Sequence, residues 1–483
     1  MITRDEVASA AWHGMIWRFL ERCSSQVVSF VVSIILARLL LPEEYGIIAM
    51  TMIFIALSEV FVTSGLGSAL IQKSSYDEAS FSTMFWASVV FSLLLYGLLF
   101  FLAPYIAFLM HTPELLPVLR VLGLRLPISA MNSIQQAYVS QQMIFKKFFF
   151  STLIGTVVSC AVGLVMAYSG YGVWSLVGQN ITMTIINALV LHFLIPWRPS
   201  FCFRYAIFKQ LYGFSWRTML TSFIGTFFEQ LRGFLIGRYY RSADLAFANR
   251  GEQFPSVLAG NISTTVQSVL FPAFAHLQQD KLAIREAVHK SLTMGSFIVV
   301  GLMAILAGSA ENLIVVLLTD KWISAVPYLQ WSCLGQCFAI LGMINLQTIS
   351  ALGRADIALK LEFIKKPFWF LILIIGVMIS PLAIIAGNAL YGFIAFCINA
   401  FPNQNLLGYG IKQQVMDVIQ PFFLAGILFV LLHLFQGIIK YSLLSLLLEC
   451  LISFILYLSI AKLFHIKGAE YLQRIILTRI KLR

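Results

Sequence analysis

Charge is what this sequence has least of. Asp, Glu, Lys and Arg make up 11% of its 483 residues, against 59% hydrophobic residues and a mean hydropathy of +0.87. Soluble domains average about 25% charged and about 45–50% apolar residues, so a water-facing surface cannot be built from this composition. A soluble enzyme is excluded. Long polar runs are also missing: the two longest, around Trp197 to Lys209 and His276 to Lys290, reach only about fifteen residues, far short of a folded domain. The seven cysteines are scattered and sit mostly in apolar runs, which excludes a disulfide framework and leaves small buried hydrophobes. Cys333 and Cys337 share a helix face, but no His or acidic residue stands near them at ligand spacing, so no metal is expected there. No Gly-Lys dipeptide and no H-E-x-x-H occur, so neither nucleotide hydrolysis nor metal catalysis is expected. Asp5 and Glu6 stand where a signal peptide carries only positive charge, and the N-terminal segment is expected to stay.

What fills the chain is apolar runs of membrane-crossing length, which needs about 20 residues per crossing. They give about fourteen spans: 12–41, 45–70, 81–101, 115–139, 148–168, 173–195, 211–239, 246–270, 292–318, 326–352, 361–380, 382–401, 415–435 and 441–464. None shows the alternation of a barrel strand, so the expected class is an all-α integral membrane protein. With the N-terminus inside, inner loops and tail collect about nineteen basic residues and outer loops about four, which places both termini in the cytoplasm. That bias accounts for most of the net charge of +12, and no nucleic-acid partner is needed to explain it. The tail from Gly468 to Arg483 alternates Leu472, Ile475, Ile476 and Ile480 with Arg474, Arg479 and Lys481, a pattern that suits an amphipathic helix on membrane lipids as well as a frayed basic end.

The two halves share a pattern. Gly14-x-x-Trp17-Arg18 opens the first span and Gly213-x-x-Trp216-Arg217 the seventh; 102–119 and 310–329 occupy matching places before the fourth and tenth. Two six-helix lobes around a central cavity are expected: an N-lobe (1–196, spans 1–6), a cytoplasmic linker (197–210), a C-lobe (211–407, spans 7–12), spans 13–14 (408–464) and a basic tail (465–483).

Charges inside spans carry the chemistry, because each costs about 2.5–3.5 kcal/mol at the centre of a lipid-exposed helix. Arg18, Glu21 and Arg22 lie on one face of the first span, Glu229 and Arg232 on one face of the seventh with Arg217 nearer its inner end, Glu59 in the second, Arg120 and Arg125 in the fourth. Arg outnumbers Glu, which makes a cavity wall suited to phosphate, gripped by the guanidinium fork. Ion pairing within the membrane is the plain alternative for several of these, Glu229–Arg232 and Arg250–Glu252 above all. Asn132, Gln135, Gln136 and Gln141, with Asn261 and Gln267 in the eighth span, can meet sugar hydroxyls or bond helix to helix. Asn180-Ile-Thr182 and Asn261-Ile-Ser263 match a glycosylation pattern but fall inside spans.

The chain resembles the polysaccharide transporter family, the Wzx-type flippases, of the multidrug/oligosaccharidyl-lipid/polysaccharide exporter superfamily. The resemblance rests on LARLLLPEEYGIIAM (36–50), SGLGSALIQK (64–73), STMFW (82–86), GYGVWSLVGQ (170–179), LIGRYY (235–240), ANRGEQFP (248–255), SVLFPAFAHLQQD (268–280), DKWISAVPYLQ (320–330) and ALGRADIALKL (351–361), in the family's order. It implies a multi-pass flippase of the bacterial inner membrane that moves polyprenyl-diphosphate-linked oligosaccharide outward by alternating access for O-antigen, exopolysaccharide or capsule, working beside a polymerase and glycosyltransferases. On this reading Arg18, Arg22, Arg120, Arg125, Arg217 and Arg232 hold the lipid diphosphate. Where relatives often carry an acidic residue before the LIGR stretch, this chain has Arg232, so the carboxylates left for ion coupling are Glu59 and Glu229. No cofactor is expected beyond a proton or sodium gradient. A cation-coupled multidrug exporter of the same fold is the alternative, with Glu59 as its intramembrane carboxylate; a glycan polymerase or ligase would need a longer outer loop than any here.

Overall fold

The structure is a computed structural model and describes residues 4–63, 70, 78–435 and 441–481. All of the 64–73 stretch except Leu70 lies outside these residues, as do Lys440 and Arg483 of the loop-charge pattern, and the side chains of 475–481 are likewise outside. Among the described residues the chain is helical, with one 3-10 segment and no strand. Helices close their own backbone hydrogen bonds, which hydrocarbon demands of any spanning segment.

The chain divides into two compact units, Met1–Ala246 and Phe247–Arg483. The first holds α1 (Arg4–Leu39), α2 (Pro42–Thr63), α3 (Glu78–Leu109), α4 (Leu115–Leu122), α5 (Arg125–Gln141), α6 (Phe145–Tyr168), α7 (Val173–Leu194) and α8 (Tyr205–Tyr239). Next comes α9 (Ser242–His276), whose first residues belong to the first unit. The rest of the second unit is α10 (Lys281–Gly308), α11 (Ala310–Leu318), a 3-10 segment (Asp320–Ala325), α12 (Val326–Ala351), α13 (Ala355–Ile379), α14 (Pro381–Leu407), α15 (Ile411–Phe435), α16 (Leu443–Leu463) and α17 (Lys467–Lys481). Among the described residues twelve segments are long and apolar enough to cross a membrane, and the protein is a multi-pass membrane protein. Against about fourteen predicted spans, the two that fall short are α8 and α13. Both have spanning length, 35 and 25 residues, but they carry more charge than the other spans, Arg217, Glu229 and Arg232 in one and Glu362, Lys365 and Lys366 in the other.

Local devices recur in the two halves. A two-residue turn joins α1 to α2 and another joins α8 to α9. In the first, Glu44 accepts from the Leu41 N–H at 2.7 Å; in the second, Asp244 accepts from the Arg241 N–H at 3.2 Å. Each carboxylate satisfies a donor that the helix start leaves open. Positive φ follows at His111 (51°) and Thr319 (82°), before spans four and ten, and at Met143 (54°) and Gly353 (74°), after them.

Each unit has its own core. In the first, Phe81, Phe85, Tyr138 and Trp197 pack ring against ring, and α6 meets α7 closely where Gly155 faces the Asn187 and Met183 backbone and Gly163 faces Gln179. In the second, Gly335, Gly342 and Gly392 let α12 and α14 approach, the small-residue packing typical of membrane helices. Span 13 is tied to span 9 by Asp417 of α15, which accepts from the Tyr409 hydroxyl at 2.6 Å and lies 2.7 Å from His289 Nδ1 of α10. Burial, and next the bond to Asp417, hold the Tyr409 phenol well above its ordinary pKa, so it remains a donor. Span 14 is tied through Glu449, which accepts from Asn312 of α11 at 2.8 Å, and through Tyr457, whose hydroxyl donates to the Phe297 carbonyl at 2.8 Å.

Candidate functional site

The fourth predicted span is not one regular helix. Between α4 and α5 the backbone tightens, with Leu124 N–H bonding to Val121 and Leu126 N–H to Gly123. Such i to i+3 bonds inside a long helix mark a local change of winding. Arg125 stands at this turn. Its guanidinium reaches two other helices: Nη2 lies 3.6 Å from Glu59 Oε1 of α2, and Nη1 donates to Asn180 Oδ1 of α7 at 3.2 Å. Glu59 takes a second bond from the Ser129 hydroxyl of α5 at 2.8 Å.

These groups line a cavity of about 460 Å³ within the first unit. Its volume falls in the range of small-ligand sites. The walls come from α2 (Glu59, Thr63), α5 (Arg125, Ser129, Asn132, Ser133, Gln136, Ala137, Ser140) and α7 (Asn180, Met183, Thr184, Asn187). Hydroxyls and amides dominate, and among the described residues no aromatic ring lines it. The side chains of Arg125 and Glu59 are 20% and 26% exposed, so the pair is neither dry nor fully solvated. Two lining atoms stay unmet: Arg125 Nε and Asn132 Oδ1 are buried with no hydrogen-bond partner. A buried polar group without a partner is costly, and a ligand that offers an acceptor to one and a donor to the other relieves both.

Of the eight charged residues singled out in the sequence, the structure brings Arg125 and Glu59 together at this cavity. Arg18 of α1 pairs with Glu21 at 3.5 Å and lays its guanidinium 4.0 Å from the Phe148 ring centroid. Arg120 stacks on Phe100 at 4.3 Å. Arg22, Arg217 and Glu229 are exposed on α1 and α8, Arg217 with its guanidinium 5.8 Å from the Trp216 ring, and Arg232 is half-buried. Asn132 and Gln136 reach the cavity as sugar-contact candidates should, whereas Gln135 faces His192 at 3.4 Å and Gln141 donates to the Leu70 carbonyl. Gln267 bonds to Met343 Sδ, and Asn261 is exposed. Arg250 donates to Gln253 at 2.6 Å and lies over Trp322.

The contribution of α7 is the part that sequence reasoning missed. Asn180, Thr184 and Asn187 recur at four- and three-residue spacing and so share a helix face, a signal present in the sequence, of which only Asn180 is noted there, as part of a glycosylation pattern.

Comparison with known proteins places the chain. The polysaccharide biosynthesis protein family matches residues 35–327. The chain is 25% identical over 313 residues to the succinoglycan biosynthesis transport protein ExoT of Rhizobium meliloti, a match covering 65% of this chain and 63% of that one. It is 23% identical to the lipopolysaccharide biosynthesis protein WzxC of Escherichia coli, over 81% of this chain and 80% of the relative. It is also 23% identical to the teichuronic acid biosynthesis protein TuaB of Bacillus subtilis, over 86% of each. Among solved structures, the lipid II flippase MurJ in an inward closed conformation superposes with a TM-score of 0.73 at 14% identity, covering 93% of this chain and 99% of that one. An inward-facing multidrug resistance MATE transporter superposes at 0.51 with 15% identity, covering 85% and 95%. Both likenesses show the fold. With a family match across more than half its length, the chain belongs to the polysaccharide biosynthesis protein family of membrane transporters.

Proposed function

We propose that this protein is a flippase for polyprenyl-diphosphate-linked oligosaccharide in the bacterial inner membrane, with both termini cytoplasmic, and that the first-unit cavity receives the polar head of that lipid. The observation that carries the proposal is Arg125: a guanidinium inside the membrane, on the wall of a cavity otherwise made of amides and hydroxyls, balanced by one carboxylate. The Arg fork matches a phosphate in two parallel hydrogen bonds, and the unmet Nε is a donor still to be used. A diphosphate competes with Glu59 for Arg125. Glu59 is therefore the point at which a proton or sodium ion acts: neutralising it frees Arg125 for the lipid, and losing that cation returns Arg125 to Glu59 and releases the load. Arg22 and Arg217, exposed on α1 and α8, with half-buried Arg18 and Arg232, supply attraction for the approaching anion. Arg120, packed on Phe100, adds charge only, and Glu229 is a second ion-coupling candidate.

The relatives named for succinoglycan, lipopolysaccharide and teichuronic acid biosynthesis support a glycan load. A polymerase and glycosyltransferases would act on the product and supply the substrate. The multidrug alternative has only the fold likeness behind it. The test is a deletion strain analysed for lipid-linked repeat units. Cytoplasmic-side accumulation, reversed by the wild-type gene and not by Arg125→Ala at equal protein level, is the expected result. An unchanged lipid-linked pool contradicts the function.

A further inference from the structure

The second unit holds a cavity of its own, about 420 Å³, built from α9, α12, α13 and α14. Its chemistry differs from that of the first. Two indoles, Trp331 of α12 and Trp369 of α13, stand on its walls, with Glu252 of α9, Asn388 and Asn399 of α14, Ser332 of α12 and Lys365 of α13. Pro367 sits between Lys365 and Trp369 and has no N–H to give to the Phe363 carbonyl, which loosens α13 where it borders the cavity.

Two polar atoms on this wall have nothing to bind. Ser332 Oγ and Asn399 Oδ1 are buried without hydrogen-bond partners, in residues 7% and 3% exposed. The Asn399 amide nitrogen is already committed to the Gly342 carbonyl at 3.2 Å, which fixes the amide orientation and leaves Oδ1 as an acceptor awaiting a donor. Lys365 is only 4% exposed and holds Glu362 at 2.5 Å. Polar groups kept inside a membrane segment mark a functional path by default.

We propose that this cavity seats a sugar ring of the glycan carried by the lipid diphosphate. The inference rests on the flippase reading and names a second contact for its substrate. A pyranose has the two surfaces this cavity asks for. Its C–H face carries slight positive charge and settles on the electron-rich face of an indole, while its equatorial hydroxyls donate to Asn399 Oδ1 and exchange bonds with Ser332 and Asn388. A prenyl or acyl chain would leave Ser332 Oγ and Asn399 Oδ1 unmet. A bare phosphate would use Lys365 and waste both indoles.

The experiment measures binding by microscale thermophoresis to full-length protein in lipid nanodiscs, with two probes: the lipid-linked glycan extracted from a host strain lacking the transporter, and sugar-free undecaprenyl diphosphate. Trp331→Leu and Trp369→Leu are each expected to weaken glycolipid binding by about tenfold, with undecaprenyl diphosphate binding held within about twofold and affinity largely restored by Trp→Phe. Asn388→Ala, a small change on the same wall, is expected to weaken only the glycolipid, by about threefold, and decides the matter if a Trp variant fails to fold. Equal loss for both probes, or loss for neither, overturns the sugar site. So does a wild-type protein that binds the two probes equally, which leaves the flippase reading standing. Wild-type protein that binds neither probe overturns both.

Discussion

The two cavities are alike in size, about 460 and 420 Å³, and each is lined by a cation, a carboxylate, hydroxyls and amides, but they differ in their aromatic rings and in how the cation is held. The first is an ion pair set among hydroxyls and amides with no aromatic ring. The second has two indoles, a buried lysine and unmet hydroxyl and amide oxygens. Some local devices recur in both units, the positive-φ residues His111 and Thr319 among them. The residues lining the two cavities nonetheless differ. Fold is set by what the halves have in common, and ligand chemistry by what they do not.

The comparison breaks most readily at Arg125. Arg125→Ala removes the grip and leaves Glu59 without its cation inside the membrane, where breaking a buried pair costs about 3–5 kcal/mol and a half-solvated one less. Export of glycan is expected to fall more than tenfold, read as surface polysaccharide at equal protein level. Arg125→Lys keeps the charge but not the fork, and an intermediate export level is expected.

Glu59→Gln tests the switch rather than the grip. The amide still accepts from Ser129 and no longer binds Arg125 as an anion. Glycolipid is expected to bind as tightly as before or tighter, while transport slows and loses its dependence on the imposed ion gradient, measured in proteoliposomes. Unchanged gradient dependence would assign coupling elsewhere, with Glu229 the next carboxylate to change.

Lys365→Met sharpens the second cavity. It removes a buried cation and leaves Glu362, whose side chain is 46% exposed, to be solvated. A modest fall in thermal stability and about a threefold loss of glycolipid affinity are expected, with undecaprenyl diphosphate binding unchanged. The smallest effect is expected from Arg217→Gln. That side chain is exposed and belongs to neither cavity wall, so export should change by less than about twofold at physiological salt, which screens an exposed charge.

The fold was legible because hydrocarbon imposes one rule on every span: enough apolar residues, helically closed. Where the rule weakens, so does the reading. α8 and α13 carry charges that set them apart from the other spans, and the ninth predicted span contains the break at Ser309 between α10 and α11 that hydropathy does not register. The site was legible in part. Arg125 and Glu59 stood out because intramembrane charge is expensive, and Asn132 and Gln136 because they cluster in one polar span. Arg18 and Arg120 stood out for the same reason, yet aromatic faces of Phe148 and Phe100 receive them, a satisfaction that spacing along one helix cannot reveal. Asn180, Thr184 and Asn187 were hidden because they are uncharged polar residues scattered in an apolar helix, significant only once α7 is known to face α5. Trp331 and Trp369 were hidden for the opposite reason, since aromatics are everywhere in this chain.

The most direct measurement is translocation itself. Wild-type protein and Arg125→Ala, reconstituted at equal density in proteoliposomes, are given lipid-linked glycan in one leaflet, and the fraction that becomes accessible to an added glycosidase on the other side is followed in time. Accessibility that rises with wild-type protein and stays at the protein-free level with Arg125→Ala is the expected result; equal rates for the two proteins would contradict the assignment of the lipid diphosphate to Arg125.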